Sequence, residues 1–320
     1  MVVVVATGPA RGAAMRGHPR VSAVVPTRDR PELVRAAVRA ILDQDYPGPV
    51  EVVVVHDQSA PDQSLTQLSR LDRQVRVIPN ERTPGLAGAR NSGALAAVGE
   101  FVAFCDDDDE WLPGKLRAQV DALAAAPDAQ LVSCGIRVSY DGNTVDRVLA
   151  RDSVTLADLL RDRMTELHPS TFLMRAAALH AGFGLVDEEI PGGYAEDYEF
   201  LLRAARNAPL VNLCTPYVLV RWHRRSYFAQ RWDTISEALQ WLLERYPEFG
   251  TQPAGAARVS GQIAFAHAAS GDRRVAMRWA RHALRRNPRE PRAYLALAVA
   301  GRVLRADTVL RTLHRRGRGI

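Results

Sequence analysis

The chain has 320 residues, 47% hydrophobic and 24% charged, with a formal net charge of +6, which suits a soluble globular protein of more than one domain. Cys105, Cys134 and Cys214 form no CxxC pair, which argues against a disulfide framework or a cysteine-built metal site. No apolar run approaches the roughly 18–20 residues that span a bilayer, and Met1–Ala6 is too short for a signal-peptide core, so a cytoplasmic protein is expected.

Residues 1–19 read as a loose leader with scattered Gly and Pro. Val21-Ser-Ala-Val-Val25 is a first strand, stopped by a loop from Pro26. Pro31 suits the first turn of a helix, and Leu33, Ala36, Ala37, Ala40 and Ile41 repeat at helical spacing. Glu51–Val55 is a second buried strand ending in His56-Asp57. A polar helix is expected around Pro61 to Leu71, then a short strand at Val75–Ile78. A glycine-rich turn, Thr83 to Gly93, feeds a small-residue helix through Val98. Strand–helix–strand units with apolar strands predict an α/β fold with a parallel sheet.

Phe101-Val-Ala-Phe104 is a strand buried on both faces. It must end where Asp106-Asp-Asp-Asp-Glu110 begins, because adjacent carboxylates cannot be buried unpaired. They repel one another and favour a divalent cation with oxygen ligands. A bare acidic run is usually solvated loop. This one stands at the carboxyl end of a buried strand, where open α/β sheets bind ligands.

Beyond it, Pro113 opens a helix to about Ala126. Leu131–Tyr140 and Thr144–Leu149 flank Asp141-Gly142 as a hairpin. Ser153 to Arg163 reads as a helix and His168 to Met174 as strand-like. A Gly-rich loop follows, then a helix from Ala195-Glu-Asp197, and a strand from Val211 to Val220. From about Ser236 the pattern is helical. Gly271-Asp272, Ala276, Ala280, Ala283 and Asn287-Pro288 resemble a tetratricopeptide-type hairpin, though an ordinary helical hairpin fits as well. Residues 221–320 hold 20 Arg, no Lys and seven acidic residues. This basic region is either solvated surface or a contact for an anionic membrane face; nucleic acid is not expected as a partner.

Five segments, in order, resemble family 2 glycosyltransferases of GT-A fold. They are Val24-Val-Pro-Thr-Arg-Asp-Arg, Val53-Val-Val-His-Asp-Gln-Ser, Gly85-Leu-Ala-Gly-Ala-Arg-Asn-Ser-Gly, Phe104-Cys-Asp-Asp-Asp-Asp-Glu-Trp and Ala195-Glu-Asp-Tyr-Glu-Phe-Leu-Leu-Arg. The resemblance covers roughly residues 20–230. It implies a nucleotide-binding half at about 20–112 and an acceptor half at about 113–230, leaving 231–320 as a basic helical extension. It implies an inverting transfer of sugar from a nucleotide-diphosphate donor, UDP-linked by preference, to a glycan, lipid-linked or small-molecule acceptor.

The same resemblance assigns roles. Pro26, Thr27, Arg28, Asp57, Arg90 and Asp106 would contact the nucleotide. Asp108, with Asp106 and His223, would hold Mg²⁺ or Mn²⁺. Asp197 would be the general base, with Glu196 beside it. His168 and Trp111 are candidate acceptor-side residues. His56 stands where the family usually has an aspartate. Two other readings share parts of the pattern. A nucleotidyltransferase would use the same sheet but leave Glu196-Asp197 without a role. A non-catalytic nucleotide-sugar-binding scaffold would work through the helical extension.

Overall fold

The computed structural model describes residues 18–140, 142–222 and 231–315. Most of the expected leader, and His223, lie outside them.

The first half alternates as expected. β1 (Val21–Thr27), α1 (Pro31–Leu42), β2 (Val50–His56), β3 (Arg73–Pro79), α2 (Leu86–Ala96) and β4 (Phe101–Phe104) follow in chain order. Pro31 sits in the first turn of α1, where its missing N–H leaves no bond unmade. The polar helix expected at 61–71 is only a 3-10 segment, Gln63–Leu68, that buries Leu65 alone. With one apolar anchor, a longer amphipathic helix would have nothing to pack. The strands lie side by side as β3-β2-β1-β4, all parallel. Their side chains alternate between faces. Val21, Ala23 and Val25 of β1 join Val52 and Val54 of β2 on the α1 face, while Val24, Val53 and Val55 join Ala89 and Ala94 of α2 on the other.

The second half brings β5 (Glu110–Trp111), α3 (Lys115–Ala125), β6 (Leu131–Tyr140), β7 (Asn143–Arg147), β8 (Ser153–Val154), α4 (Leu156–Arg161), β9 (Leu173–Arg175), α5 (Ala176–Ala181), α6 (Glu196–Asn207) and β10 (Leu210–Arg221). The expected hairpin is β6–β7. The helix expected from Ser153 starts later. Ser153–Val154 pairs with β10, and Thr155 caps α4 through a capping box with Asp158, which satisfies two of the helix's orphan N–H groups. β9 lies between β4 and β6, antiparallel to both, whereas β6 and β10 run parallel. These pairings leave six of the ten strands pointing one way. The mostly parallel α/β sheet is therefore as expected.

The C-terminal region is helical: α7 (Trp232–Arg245), α8 (Pro253–Ser270), α9 (Arg273–Arg286), α10 (Pro291–Ala300) and α11 (Ala306–Arg315). Ala264, Ala276, Ala280, Ala283, Ala293 and Ala296 form the seam between α8, α9 and α10, small side chains that let the helix axes come close. α8 also packs on α4, and Tyr246 and Arg258 bond to Glu199 and Tyr198 of α6. Leu239, Leu242, Tyr246, Val259 and Ile263 belong to the same buried cluster as Val24, Phe104 and Leu201.

β1 is flanked by β2 on one side and β4 on the other. The chain thus reverses its direction of winding at β1, and the carboxyl ends of β1 and β4 open a crevice there.

Candidate active site

Each strand end delivers a functional group to that crevice. β1 ends in Thr27, whose hydroxyl donates to Asp107 Oδ2 at 2.7 Å. Arg30, one turn further on, donates to Asp107 Oδ1 at 3.0 Å and Asp108 Oδ2 at 3.1 Å. Burial pushes the Asp107 carboxyl up, against these two donors. Arg28 is exposed beside Asp29.

β2 ends in His56-Asp57. Asp57 accepts from Asn80 Nδ2 at 2.8 Å, Gln58 Nε2 at 3.0 Å and the Gly85 N–H at 3.0 Å. Burial opposes its ionisation, yet these three donors hold the carboxyl below its usual range. Gly85 adopts φ +117°, a conformation that an L side chain rarely takes. His56 is turned to its own loop: its Nε2 accepts from the Asp62 N–H at 3.2 Å. Burial lowers its pKa, which suits a neutral ring that accepts.

β4 ends in the acidic run, and the four carboxylates part company. Asp106 Oδ1 accepts from Arg90 at 2.7 Å. Burial works against its charge, but the guanidinium outweighs it and keeps the carboxyl low. Asp109 is buried, and Ser170 Oγ donates to it at 2.5 Å. Burial lifts this carboxyl to about 7. The same Ser170 hydroxyl accepts from the Asp106 N–H at 2.9 Å. His168 Nδ1 lies 3.3 Å from Asp109 and its Nε2 lies 4.0 Å from Asp106. Glu110 pairs with Arg221 across the β5–β10 ladder. Trp111 is 3% exposed; its Nε1 donates to Ser170 O at 3.1 Å, and the Lys115 ammonium sits 3.8 Å from its ring centroid. It packs beneath the acidic loop.

Glu196 and Asp197 open α6, directly after Ala195 at φ 67°. A left-handed alanine costs on the order of 1–2 kcal/mol, which the surrounding contacts must overcome. Arg90, 3% exposed at its side chain, donates to Glu196 at 2.8 Å while it holds Asp106. One guanidinium thereby joins the two acidic motifs. Burial and the Asp197 charge still leave Glu196 with a raised pKa. Asp197 Oδ1 accepts from Arg163 at 2.8 Å and from the Tyr198 N–H at 2.8 Å. Among the described residues no hydrogen bond to Asp197 Oδ2 is seen.

A divalent cation fits this chemistry. Ligand atoms of Asp106, Asp109 and His168 lie within 4.8 Å of one another, and the carboxylate oxygens among them suit Mg²⁺ or Mn²⁺. Asp108 is adjacent, with its carboxylate on Arg30. Expected residues Thr27, Asp57, Arg90, Asp106, Asp108, His168, Glu196 and Asp197 thus gather around one crevice, with Pro26 in β1 and Arg28 at its rim. The sequence reading omitted Arg30, Arg163, Ser170 and Glu188. Glu188 accepts from Asn91 Nδ2 at 2.6 Å, Arg82 Nε at 2.5 Å and the Thr83 N–H at 3.3 Å. Of these four only Arg30 stands in one of the five family-like segments, as the last residue of Val24-Val-Pro-Thr-Arg-Asp-Arg. Arg30 lies two residues past the candidate Arg28, and Ser170 two past the candidate His168.

Residues 22–183 match the family profile described as glycosyl transferase family 2. The chain belongs to this family. It is 27% identical over 142 residues to the UDP-Glc:alpha-D-GlcNAc-diphosphoundecaprenol beta-1,3-glucosyltransferase WfgD of Escherichia coli, covering 44% of this chain and 55% of the relative. The chain spans about half the length of the curated relatives it matches. In fold it is similar to S. aureus TarS 1-349 in complex with UDP-GlcNAc, with TM-score 0.60, 19% identity, and 93% and 92% of the two chains covered. It is likewise similar to the mannosyltransferase PcManGT of Pyrobaculum calidifontis in complex with GDP-Man and Mn²⁺, with TM-score 0.54, 20% identity, and 89% and 87% covered. The α/β sheet is therefore of the GT-A kind that these family 2 expectations named.

Proposed function

We propose that this chain is an inverting glycosyltransferase that moves a sugar from a nucleotide-diphosphate donor to an acceptor hydroxyl. The observation that carries the reading is Arg90. It ties the acidic motif at the β1–β4 crevice to the Glu196–Asp197 pair, so a donor site and a base stand on opposite arms of one ion-paired unit.

The donor's base and ribose would lie over Pro26, Thr27 and Asp57, with Arg28 and Arg30 at the diphosphate side. Asp106 and Asp108, with Asp109 and His168 beside them, would hold the cation, and His223 is a further candidate ligand. When bound, Mg²⁺ or Mn²⁺ would neutralise charge on the departing diphosphate. Asp197 takes the proton of the acceptor hydroxyl through its Oδ2. The freed oxygen forms the new bond to the anomeric carbon from the face opposite the diphosphate, the old carbon–oxygen bond breaks, and the diphosphate leaves with that electron pair. Arg163 fixes the other oxygen of Asp197, which orients the carboxylate.

UDP is the favoured nucleotide. The names of the glucosyltransferase relative and of the UDP-GlcNAc-bound neighbour support it. The relative's diphosphoundecaprenol-linked substrate supports a lipid-linked acceptor. No helix among the described residues is long and apolar enough to cross a membrane. A peripheral contact would use α9. Arg274, Arg278, Arg281 and Arg285 are exposed at 4-3-4 spacing, opposite the buried Ala276, Ala280 and Ala283, and each adds about 1 kcal/mol near an anionic surface. Co-sedimentation with phosphatidylglycerol vesicles that disappears in Arg278→Glu/Arg281→Glu is expected; equal sedimentation with neutral vesicles would refute this contact.

A panel of nucleotide sugars tested with Mn²⁺ for thermal stabilisation examines the donor site. UDP-sugars should raise Tm, and Asp197→Asn should keep that shift while losing transfer. Full transfer by Asp197→Asn would remove it as base.

A further inference from the structure

Asp197 has two supports, and both lead into the helical extension. The first is Tyr198, the next residue. Its hydroxyl donates to Leu159 O on α4 at 2.6 Å, and Arg258 of α8 donates to that hydroxyl at 3.0 Å. The guanidinium carbons of Arg163 and Arg258 lie 5.9 and 5.6 Å from the Tyr198 ring centroid. The second support is Arg163, which hangs two residues beyond the end of α4 and holds Asp197 Oδ1. α8 crosses α4 there. A Cβ on Gly255 would stand 1.8 Å from Leu160 O and 3.0 Å from Arg161 Cα, so only a glycine permits this approach.

Arg258 is 7% exposed. Among the described residues its hydrogen bonds go to Tyr198 Oη and Gln262 Oε1, both neutral, and its Nε is buried without a partner. A buried guanidinium without a carboxylate is a cost to folding, and an apolar side chain of similar size is often more stable. Stability therefore does not account for it.

We infer that Arg258 is a positioning residue for Asp197, so that α8 is part of the catalytic apparatus although it lies outside the matched family region. This rests on the reading of Asp197 as base. Arg258 fixes the Tyr198 hydroxyl against α4. That sets the backbone from which Asp197 projects, and Gly255 sets the α4 end from which Arg163 reaches. A misplacement of about 1 Å at a catalytic group can lower the rate on the order of a hundredfold.

The test uses full-length Arg258→Met, Arg258→Lys and Tyr198→Phe in steady-state transfer assays. Arg258→Met should lower kcat by about tenfold or more while donor KM stays within about twofold. Arg258→Lys should recover part of the loss. Tyr198→Phe keeps the ring but not the hydroxyl; it should reproduce the fall in kcat, and it carries the test if the methionine variant does not fold. Wild-type kcat in Arg258→Met and Tyr198→Phe, or parallel changes in kcat and donor KM, would overturn the inference. Asp197→Asn assayed alongside separates the two claims. If it stays active, the base assignment fails; if it is dead while Arg258→Met is fully active, only the positioning role fails.

Discussion

Arg90 shows how much a single buried charge organises. Its side chain is 3% exposed, and the two carboxylates on it come from Asp106 and from Glu196. Removing one partner of a buried pair of this kind costs about 3–5 kcal/mol, so the guanidinium holds both motifs in place. Its presence in the site was legible from Ala-Arg-Asn in the glycine-rich segment. Its partners were not, because Glu196 lies more than a hundred residues away and no local spacing encodes that pairing. His56 is the converse. Its departure from the family's usual aspartate was visible, but its use was not: it accepts from the Asp62 N–H and so fixes the loop after β2. Asp57, whose carboxyl is held low by Asn80, Gln58 and Gly85, is the acidic residue left at that strand end for the nucleotide base in the proposed reading.

Elements meet at this crevice through loops, and Glu188 fastens two of them. It lies between α5 and α6 yet bonds to Arg82 and Thr83, at the entry to the glycine-rich turn, and to Asn91 of α2. Burial opposes its charge, but Asn91, Thr83 and Arg82 hold the carboxyl down at about 2, from an ordinary 4.5. A depressed carboxylate contributes stability above its unfolded pKa and loses it as pH falls through the folded value. The latch should therefore be intact above about pH 4.5 and weaken toward pH 2. Protection of the amides at 83–93, taken relative to intrinsic exchange at each pH, should fall across that window in the wild type, whereas in Glu188→Gln it should be lower at neutral pH and nearly flat with acid. A flat wild-type profile would refute the latch. Strands such as β1, β2 and β4 were legible because an apolar run is buried on both faces wherever it stands. β9 was harder. Three residues carry too little periodicity to reveal that they insert antiparallel between β4 and β6, and it is that insertion that brings Ser170 under the acidic loop.

On the scale of the molecule, the question is whether the helical extension is an appendage. Its helices were legible from their small-residue spacing, but their packing on α4 and α6 was not, since it depends on which face of α7 and α8 turns inward. Tyr246, Phe249, Val259 and Ile263 are each at most 2% exposed and lie in the cluster that covers one face of the sheet. Each such burial is worth about 1.5–3 kcal/mol. Four together give roughly 6–12 kcal/mol, as much as the whole net stability of a typical domain, about 5–15 kcal/mol. Polar links add to this. Tyr246 donates to Glu199 at 2.7 Å, and Glu199 also carries Arg203 at 2.8 Å. A chain ended at residue 230 would uncover α4 and α6 and leave Glu199 without one of its two donors. We therefore expect it to lack a cooperative thermal transition and to bind a hydrophobic dye, whereas the full chain melts in one step. A sharp transition in the shortened chain, at a Tm near that of the full chain, would show the extension to be a separately added unit, and the contacts it makes with α4 and α6 to be dispensable for folding.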